Sequence, residues 1–529
     1  MSKGKETPKL SNASLLVLNG KAGTDTALKT VTAPAYDRSK LSPGILHLGV
    51  GNFHRAHMAN YMDDLFHVDF ENAKEWGMVG AGIMHFDAAK RDMLESQDWL
   101  QTLVERDAGV EKAKVIGSMI DFLHVDHVKK EHTELQAAMM DPNIKIISLT
   151  VTEGGYYLHV DGSLDLNDPS IKNDIANPSE PHTIFGMIIK ALDLRRKAGM
   201  KPFTVMSCDN IPQNGEVLRG VINTLAIKAY PKCGLADWIT KEVAFPNSMV
   251  DRITPATTDA QRTHIKEHYG FEDACPIFCE PFRQWVIEDI PFSNGRPAFE
   301  KLENVKFVKN VIPFEDMKIR ILNGGHASLC YPAALLDVEY VHQAMEHPTI
   351  SRFLDALERN EIIPTIPPVP DTDLREYWDL IQRRFSNPTI GDTITRICYD
   401  GASRQPKFIV PVVMDHLKEA KEAGGGAGGQ QQVDGMALVS AMWCRYCQGK
   451  TESGATISAN DPIWDELQEK AKKAVTDPNV WLSMSEVYGE IGQDPVFQEA
   501  FAKQMQRIEE HGVEKAMLMY AGVPSKNYL

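Results

Sequence analysis

The run Gly44-Ile-Leu-His-Leu-Gly-Val-Gly51 constrains this chain more than any other stretch. It is short, apolar and glycine-terminated, and it leads directly into Asn52-Phe-His-Arg-Ala-His-Met-Ala-Asn-Tyr-Met-Asp-Asp-Leu65, which has helical spacing. A strand, a glycine-rich turn and a helix in that order set a pyrophosphate against a helix N-terminus. Gly49 and Gly51 fill the first two places of GxGxxG, but the third falls on His54. A glycine at that place normally lets helix and strand approach closely, so the motif is degenerate and its context has to decide.

The context is a repeated alternation of strands and helices. Trp76-Gly-Met-Val-Gly-Ala-Gly-Ile83 reads as a second strand, and the first acid after it is Asp87. An acid there binds the adenosine ribose hydroxyls and favours NAD, whereas Lys90 and Arg91 stand close enough in sequence to take a 2′-phosphate, leaving NADP possible. Val115-Ile-Gly-Ser118, Ile144 to Val151 and Phe203 to Ser207 read as further buried strands, with an amphipathic helix over 183–197. The fold class expected is α/β: a Rossmann-like doubly wound parallel sheet followed by a mainly helical domain. In such sheets ligands gather at the carboxyl ends of strands. Thr152-Glu153-Gly-Gly155 and Cys208-Asp-Asn210-Ile-Pro212 stand there. Asn210 offers an amide N–H to a developing alkoxide; Asn-Ile-Pro read as turn chemistry is the alternative.

Strand character fades after about residue 235, and helices are expected over 258–269, 336–359, 371–385, 408–422, 433–449, 461–475 and 494–520. The Gly424–Gln432 tract reads as a surface loop inside one domain. The organisation expected is an N-terminal extension over 1–42, a dinucleotide-binding domain over 43–238 and a helical catalytic and substrate domain over 239–529.

Composition removes several function classes. A net charge of −16 with no basic cluster disfavours nucleic acid and anionic membrane surfaces. No apolar run reaches the roughly 20 residues of a membrane span, and the N-terminus lacks a signal-peptide core, so the expectation is a cytoplasmic protein. Eight cysteines in 529 residues do not make a disulfide framework. Cys275/Cys279 and Cys444/Cys447 would have to meet across about 165 residues to bind zinc, and no HExxH or EF-hand loop occurs, so no metal site is expected.

The second informative stretch is Phe314-Glu-Asp-Met-Lys-Ile-Arg-Ile-Leu-Asn-Gly-Gly-His-Ala-Ser-Leu-Cys-Tyr-Pro332. It reads as a helix down to the paired glycines. At about 100° per residue, Lys318, His326 and Asn323 fall at about 0°, 80° and 140° on one broad face. A proton acceptor, an imidazole and an amide on one face are costly to bury idle. They suit a site that moves a proton to or from a hydroxyl; an exposed polar face is the bland alternative.

Together these residues resemble the polyol-specific long-chain dehydrogenase/reductase family, in its mannitol 2-dehydrogenase-like branch. The resemblance runs from about Leu46 to Phe501. It is carried by Gly49-Val-Gly51-Asn52-Phe53-His-Arg55-Ala-His57, Thr150-Val-Thr152-Glu153, Ser207-Cys-Asp-Asn210, Pro246 to Ile253, Lys318 with Asn323 and His326, Arg404 with Lys407-Phe-Ile-Val-Pro411, and Trp443-Cys-Arg-Tyr446. The resemblance implies Lys318 as a metal-independent general base and Asn210 and Asn323 as polarisers of the reacting oxygen. It implies His326 as the group orienting substrate and Glu315 as a route for the proton to solvent. Asp251 and Arg404, with Lys407 in the same block, would hold the sugar chain.

The implied chemistry is coherent. A lysine accepts a proton only if its pKa falls from about 10.4, and two amide donors on a developing oxyanion are worth about 3 kcal/mol each. The expected reaction is the NAD-linked interconversion of D-mannitol and D-fructose. Uronate reduction (fructuronate or tagaturonate) and arabinitol or sorbitol oxidation are the alternatives within the family. A carboxylate substrate calls for more cationic anchors than the Asp251–Arg404 mixture. An inactive dinucleotide-binding sensor is the reading from another class. The Lys318 helix is expected in the cleft between domains, and the chain is expected to be a monomer.

Overall fold

The computed structural model describes residues 7–15, 29–125, 132–159, 162–422 and 433–522. The chain divides into two compact units, Met1–Ile312 and Pro313–Leu529.

The first unit is built on five parallel strands: β1 (Pro43–Leu48), β2 (Gly77–Ala81), β3 (Met119–Leu123), β4 (Ile146–Leu149) and β5 (Thr204–Ser207). Their order is β3-β2-β1-β4-β5, so the winding reverses between β1 and β4. Every residue of β2, β4 and β5 is buried, as expected for strands covered on both faces. Side chains alternate between two cores. Leu46, Val79, Ile147 and Val205 pack with the helices Thr133–Met140, Ile184–Lys197 and Asn214–Ala229 on one face. Ile45, Met78, Ile146 and Met206 pack with the helix Met58–Val68 on the other.

Three expectations need correction here. The segment from Val115 is not in the parallel sheet: Val110–Ile116 pairs antiparallel with Gln101–Asp107, and Val31–Thr32 and Ile277–Cys279 flank that pair. Strands also continue beyond residue 235, with Gln284–Glu288 lying between Ser248–Asp251 and Val305–Val308. These strands are three to five residues long and separated by loops, so no period is long enough to read. The boundary at residue 238 therefore moves to Ile312, because those strands share the first unit's core through Val250, Ile277 and Trp285. The described part of the N-terminal segment also belongs to this unit. Lys9 bridges Glu272, and the Arg38 guanidinium donates to the carbonyls of Asp98, Gly117 and Met119.

The second unit is helical. Leu374–Phe385, Val410–Glu422, Asp434–Cys447 and Trp464–Ala474 match expected helices. Pro495–Tyr520, expected as one helix, is broken at Gly512, where φ is +79°, and Asp434–Cys447 packs on it. The single helix expected over 336–359 is instead Val341–Glu346 followed by Pro348–Leu357. Proline is accepted at a first helical position but removes a hydrogen bond inside a helix. The Gly424–Gln432 loop lies outside the described residues. The helix Gly324–Leu335 is buried on all sides, which makes it the axis of its unit.

Candidate active site

In the first unit the loops after β1, β4 and β5 form one edge. Gly49 has φ +90°, and a Cβ there would lie 2.2 Å from the carbonyl oxygen of Thr150, so only glycine fits. The Thr150 hydroxyl donates to the Gly49 carbonyl at 2.7 Å and lies 3.0 Å from Nε2 of His47. Gly51 faces open space, with no atom within 4 Å of where a Cβ would stand. A phosphate can approach the backbone there.

Asp209 ties the edge together. Its carboxylate accepts the N–H groups of Val151 and Thr152 and the hydroxyl of Tyr156, and burial pushes its pKa up. Thr152 is thereby held at φ +64°, outside ordinary backbone for a non-glycine residue. Asn210 follows Asp209 and is exposed; Thr152 and Glu153 are exposed beside it. Asn214 donates to the carbonyls of Asp209 and Ser248, linking this edge to the strand that ends at the buried Asp251.

The remaining expected cofactor residues have structural ties of their own. Arg55 is buried and donates to Gln101, to the Cys275 carbonyl and to Asn52, leaving its Nε without a partner among the described residues. Asn52 donates to the Pro255 carbonyl and to Thr257, while Phe53 stacks on His57. A cavity of about 400 Å³ opens there, lined by Asn52, Arg55, Lys90, Thr254, Thr257 and Arg262. Its cations fit a phosphate-bearing nucleotide. Asp87 begins the helix after β2. One of its oxygens accepts the N–H groups of Ile83 and Met84, each at 3.0 Å, and the other lies 3.4 Å from Lys90. Arg91 is directed elsewhere, to the Phe122 carbonyl and Glu95.

In the second unit the Lys318 segment is not a regular helix. The α-helix Ile312–Met317 passes into a π-turn, Lys318–Asn323, and resumes at Gly324. The paired glycines do not end it. A π-turn bonds i→i+5 and takes up about one extra residue per turn, which returns Asn323 to near the azimuth of Lys318. The broad face expected from a 3.6-residue period therefore narrows. Lys318, Glu315 and His326 are buried, at 7%, 5% and 7% exposure, and the side-chain carbonyl of Asn323 is buried without a partner among the described residues. Burial lowers the pKa of His326 to about 3, with Asp392 opposing and Arg404 reinforcing the fall. The ring stacks on Phe385, with centroids 4.0 Å apart and planes 13° from parallel.

Arg404 lies on the helix Gly401–Phe408, its guanidinium 5.6 Å from the Phe408 ring centroid and its Nε buried without a partner among the described residues. Lys407, on the same helix, is exposed. The structure thus gathers Glu315, Lys318, Asn323, His326 and Arg404 within the second unit. It gathers Gly49, Thr152, Glu153 and Asn210 along one edge of the first. Among the described residues, no cluster of three or more His, Cys, Asp or Glu side chains can hold a metal ion, and no helix is long and apolar enough to cross a membrane.

Comparison with known proteins finds relatives along nearly the whole chain. Residues 43–301 match the mannitol dehydrogenase Rossmann domain and residues 310–509 the mannitol dehydrogenase C-terminal domain. Mannitol 2-dehydrogenase of Cereibacter sphaeroides is 48% identical over 92% of this chain and 98% of its own length. The Aspergillus clavatus enzyme of the same name is 38% identical over 93% and 95%. Among solved structures, the ternary complex of Pseudomonas fluorescens mannitol 2-dehydrogenase with NAD and D-mannitol superposes with a TM-score of 0.82. It is 37% identical and covers 98% of this chain and 100% of that one. A substrate-free D-sorbitol dehydrogenase gives 0.80 at 33% identity, over 94% and 99%. The chain belongs to the mannitol dehydrogenase family.

Proposed function

We propose that this protein is an NAD-dependent mannitol 2-dehydrogenase that interconverts D-mannitol and D-fructose. The observation that carries the reading is the Lys318–His326 segment, in a chain 48% identical to a mannitol 2-dehydrogenase over nearly its whole length. The bound nicotinamide supplies hydride acceptance. The remaining steps fall to the chain's own side chains.

Lys318 takes the proton of the C2 hydroxyl as the C–H bond breaks. Asn323, returned by the π-turn to the azimuth of Lys318, donates its amide N–H to the oxygen as negative charge builds. A preorganised donor of this kind contributes about 3 kcal/mol. Asn210 serves as the second donor. His326, neutral because it is buried, accepts or donates a single hydrogen bond that fixes which carbon reacts. Glu315, three residues before Lys318, passes the proton towards solvent, and Asp251, Arg404 and Lys407 hold the distal hydroxyls. The Gly49–Gly51 turn, Asn52 and Arg55 would hold the phosphates of the dinucleotide, and Asp87 its adenosine ribose.

The deciding experiment is an NADH absorbance assay with fructose, fructuronate, sorbose, xylulose and fructose 6-phosphate in parallel. Fructose should give the highest kcat/KM, and a preference for fructuronate would replace the assignment. Similarity to a D-sorbitol dehydrogenase makes sorbitol the second substrate to test in the oxidising direction. Chelators should leave the rate unchanged, since a lysine and two amides perform the work of a Lewis acid; inhibition by them would overturn the metal-free chemistry. The protein is expected to be cytoplasmic and monomeric, which fractionation and light scattering check.

A further inference from the structure

Glu358 is the most anomalous side chain outside the residues discussed so far. It is 0% exposed, and neither carboxyl oxygen has a hydrogen-bond partner among the described residues. A buried carboxyl without partners is expensive, so stability alone gives no reason for it. It opens a second π-turn, Glu358–Ile362, which packs against the π-turn of Lys318. Single π-turns inside helices are rare and concentrate at functional sites.

Its position is specific. A Cβ built on Gly325 would stand 2.9 Å from Oε1 of Glu358 and 3.4 Å from Cε2 of Phe385. The same Phe385 ring carries the His326 imidazole on its face. The Glu358 carboxyl, the bare backbone of Gly325 and the Phe385 ring thus meet one residue before His326, so that a side chain at Gly325 would have to displace the carboxyl. We propose that Glu358 is a positioning residue for His326: its carboxyl wedges against Gly325 and, with Phe385, fixes the direction in which the imidazole meets the substrate. Burial, reinforced by Asp355, pushes the carboxyl pKa well above the ordinary range, so the wedge is uncharged and an amide of equal size can replace it.

The proposal rests on Lys318 and His326 acting on the alcohol, and the test separates the two. If Lys318→Ala retains activity, that underlying reading fails first. If it does not, the Glu358 variants decide. Glu358→Gln should keep kcat and KM for mannitol within about twofold of the parent. Glu358→Ala should lower kcat/KM by about tenfold or more, the scale of a misplaced orienting group, while NADH affinity stays constant. Gly325→Ala should show a similar loss. The double variant Gly325→Ala/Glu358→Ala should lose less than the product of the two single losses, because removing the carboxyl relieves the clash.

The proposal is overturned if Glu358→Ala lowers the melting temperature but leaves kcat and KM alone, if glutamine does not restore activity, or if the two losses multiply. Should Glu358→Ala not fold, Phe385→Leu decides instead. Unchanged kcat/KM in that variant overturns the positioning role, and a loss at constant NADH affinity supports it.

Discussion

His47 and His54 lie face to face, ring centroids 3.4 Å apart and planes 10° from parallel. This stack stands where the third glycine of the nucleotide motif would have let helix and strand touch. His54 instead fills the gap with a flat ring, and its two nitrogens have no partner among the described residues. His54→Ala should therefore leave a cavity and cost about 3 kcal/mol, read by urea denaturation, and should weaken NADH binding by displacing the turn at Gly49. A variant as stable as the parent would show that the stack does not hold the turn.

Acid should reach this stack before most of the fold. Burial lowers the pKa of His47 from 6.5 to about 3, so the unfolded chain takes the proton first. The stability His47 contributes is complete above about pH 6.5 and declines as the pH falls towards about 3. Between pH 7 and pH 5 the parent should lose about 2 kcal/mol more than His47→Gln, which cannot titrate. Parallel denaturation curves at the two pH values would contradict this.

Glu361 has the opposite sign. Its carboxyl accepts the N–H groups of Gly435 and Met436 and the hydroxyl of Tyr520, yet burial raises its pKa from 4.5 to about 8. A folded pKa above the unfolded one gives stability that is full below about 4.5 and lost as the pH rises through about 8. Relative to Glu361→Gln, the parent should lose about 2 kcal/mol between pH 5 and pH 7. A difference that is flat with pH would mean the carboxyl ionises normally.

Lys318→Ala should lower turnover at least about a thousandfold, within the range for loss of a general base, with NADH affinity near that of the parent. Fluorescence titration of NADH beside steady-state rates checks both halves. Surviving activity would place the base elsewhere.

Asp87 faces two demands. One oxygen holds the turn through Ile83 and Met84, while the other remains near Lys90. Asp87→Ala should weaken NAD more than NADP, raising the NADP-to-NAD ratio of kcat/KM by about tenfold, one hydrogen bond to a charged group. Equal effects on both cofactors would leave Asp87 only the turn.

The sequence was legible where one local rule acts over many residues. The β1–glycine–helix run, the parallel strands and most of the long helices follow from periodicity and turn residues. The short strands Ser248–Asp251 and Ile277–Cys279 did not, because pairing with distant partners, not local pattern, makes them strands. The residues of the Lys318 segment were readable, but their mutual angles were not. A π-turn has no known signature in residue type, so a 3.6-residue period misplaces everything after it. Glu358 was hidden for a related reason: within Glu358-Arg-Asn-Glu361 it reads as solvated surface, and only the packed fold turns it inward.

The winding defect at Lys318–Asn323 makes this protein unusually easy to silence by tidying it. Substitutions that forced ordinary 3.6-residue winding through it, with every residue kept, would swing Asn323 and His326 about 100° away from the lysine, whereas deleting one residue would restore regular bonding and leave them facing it. A chain so rewound would keep a well-formed backbone in that region and have no working centre.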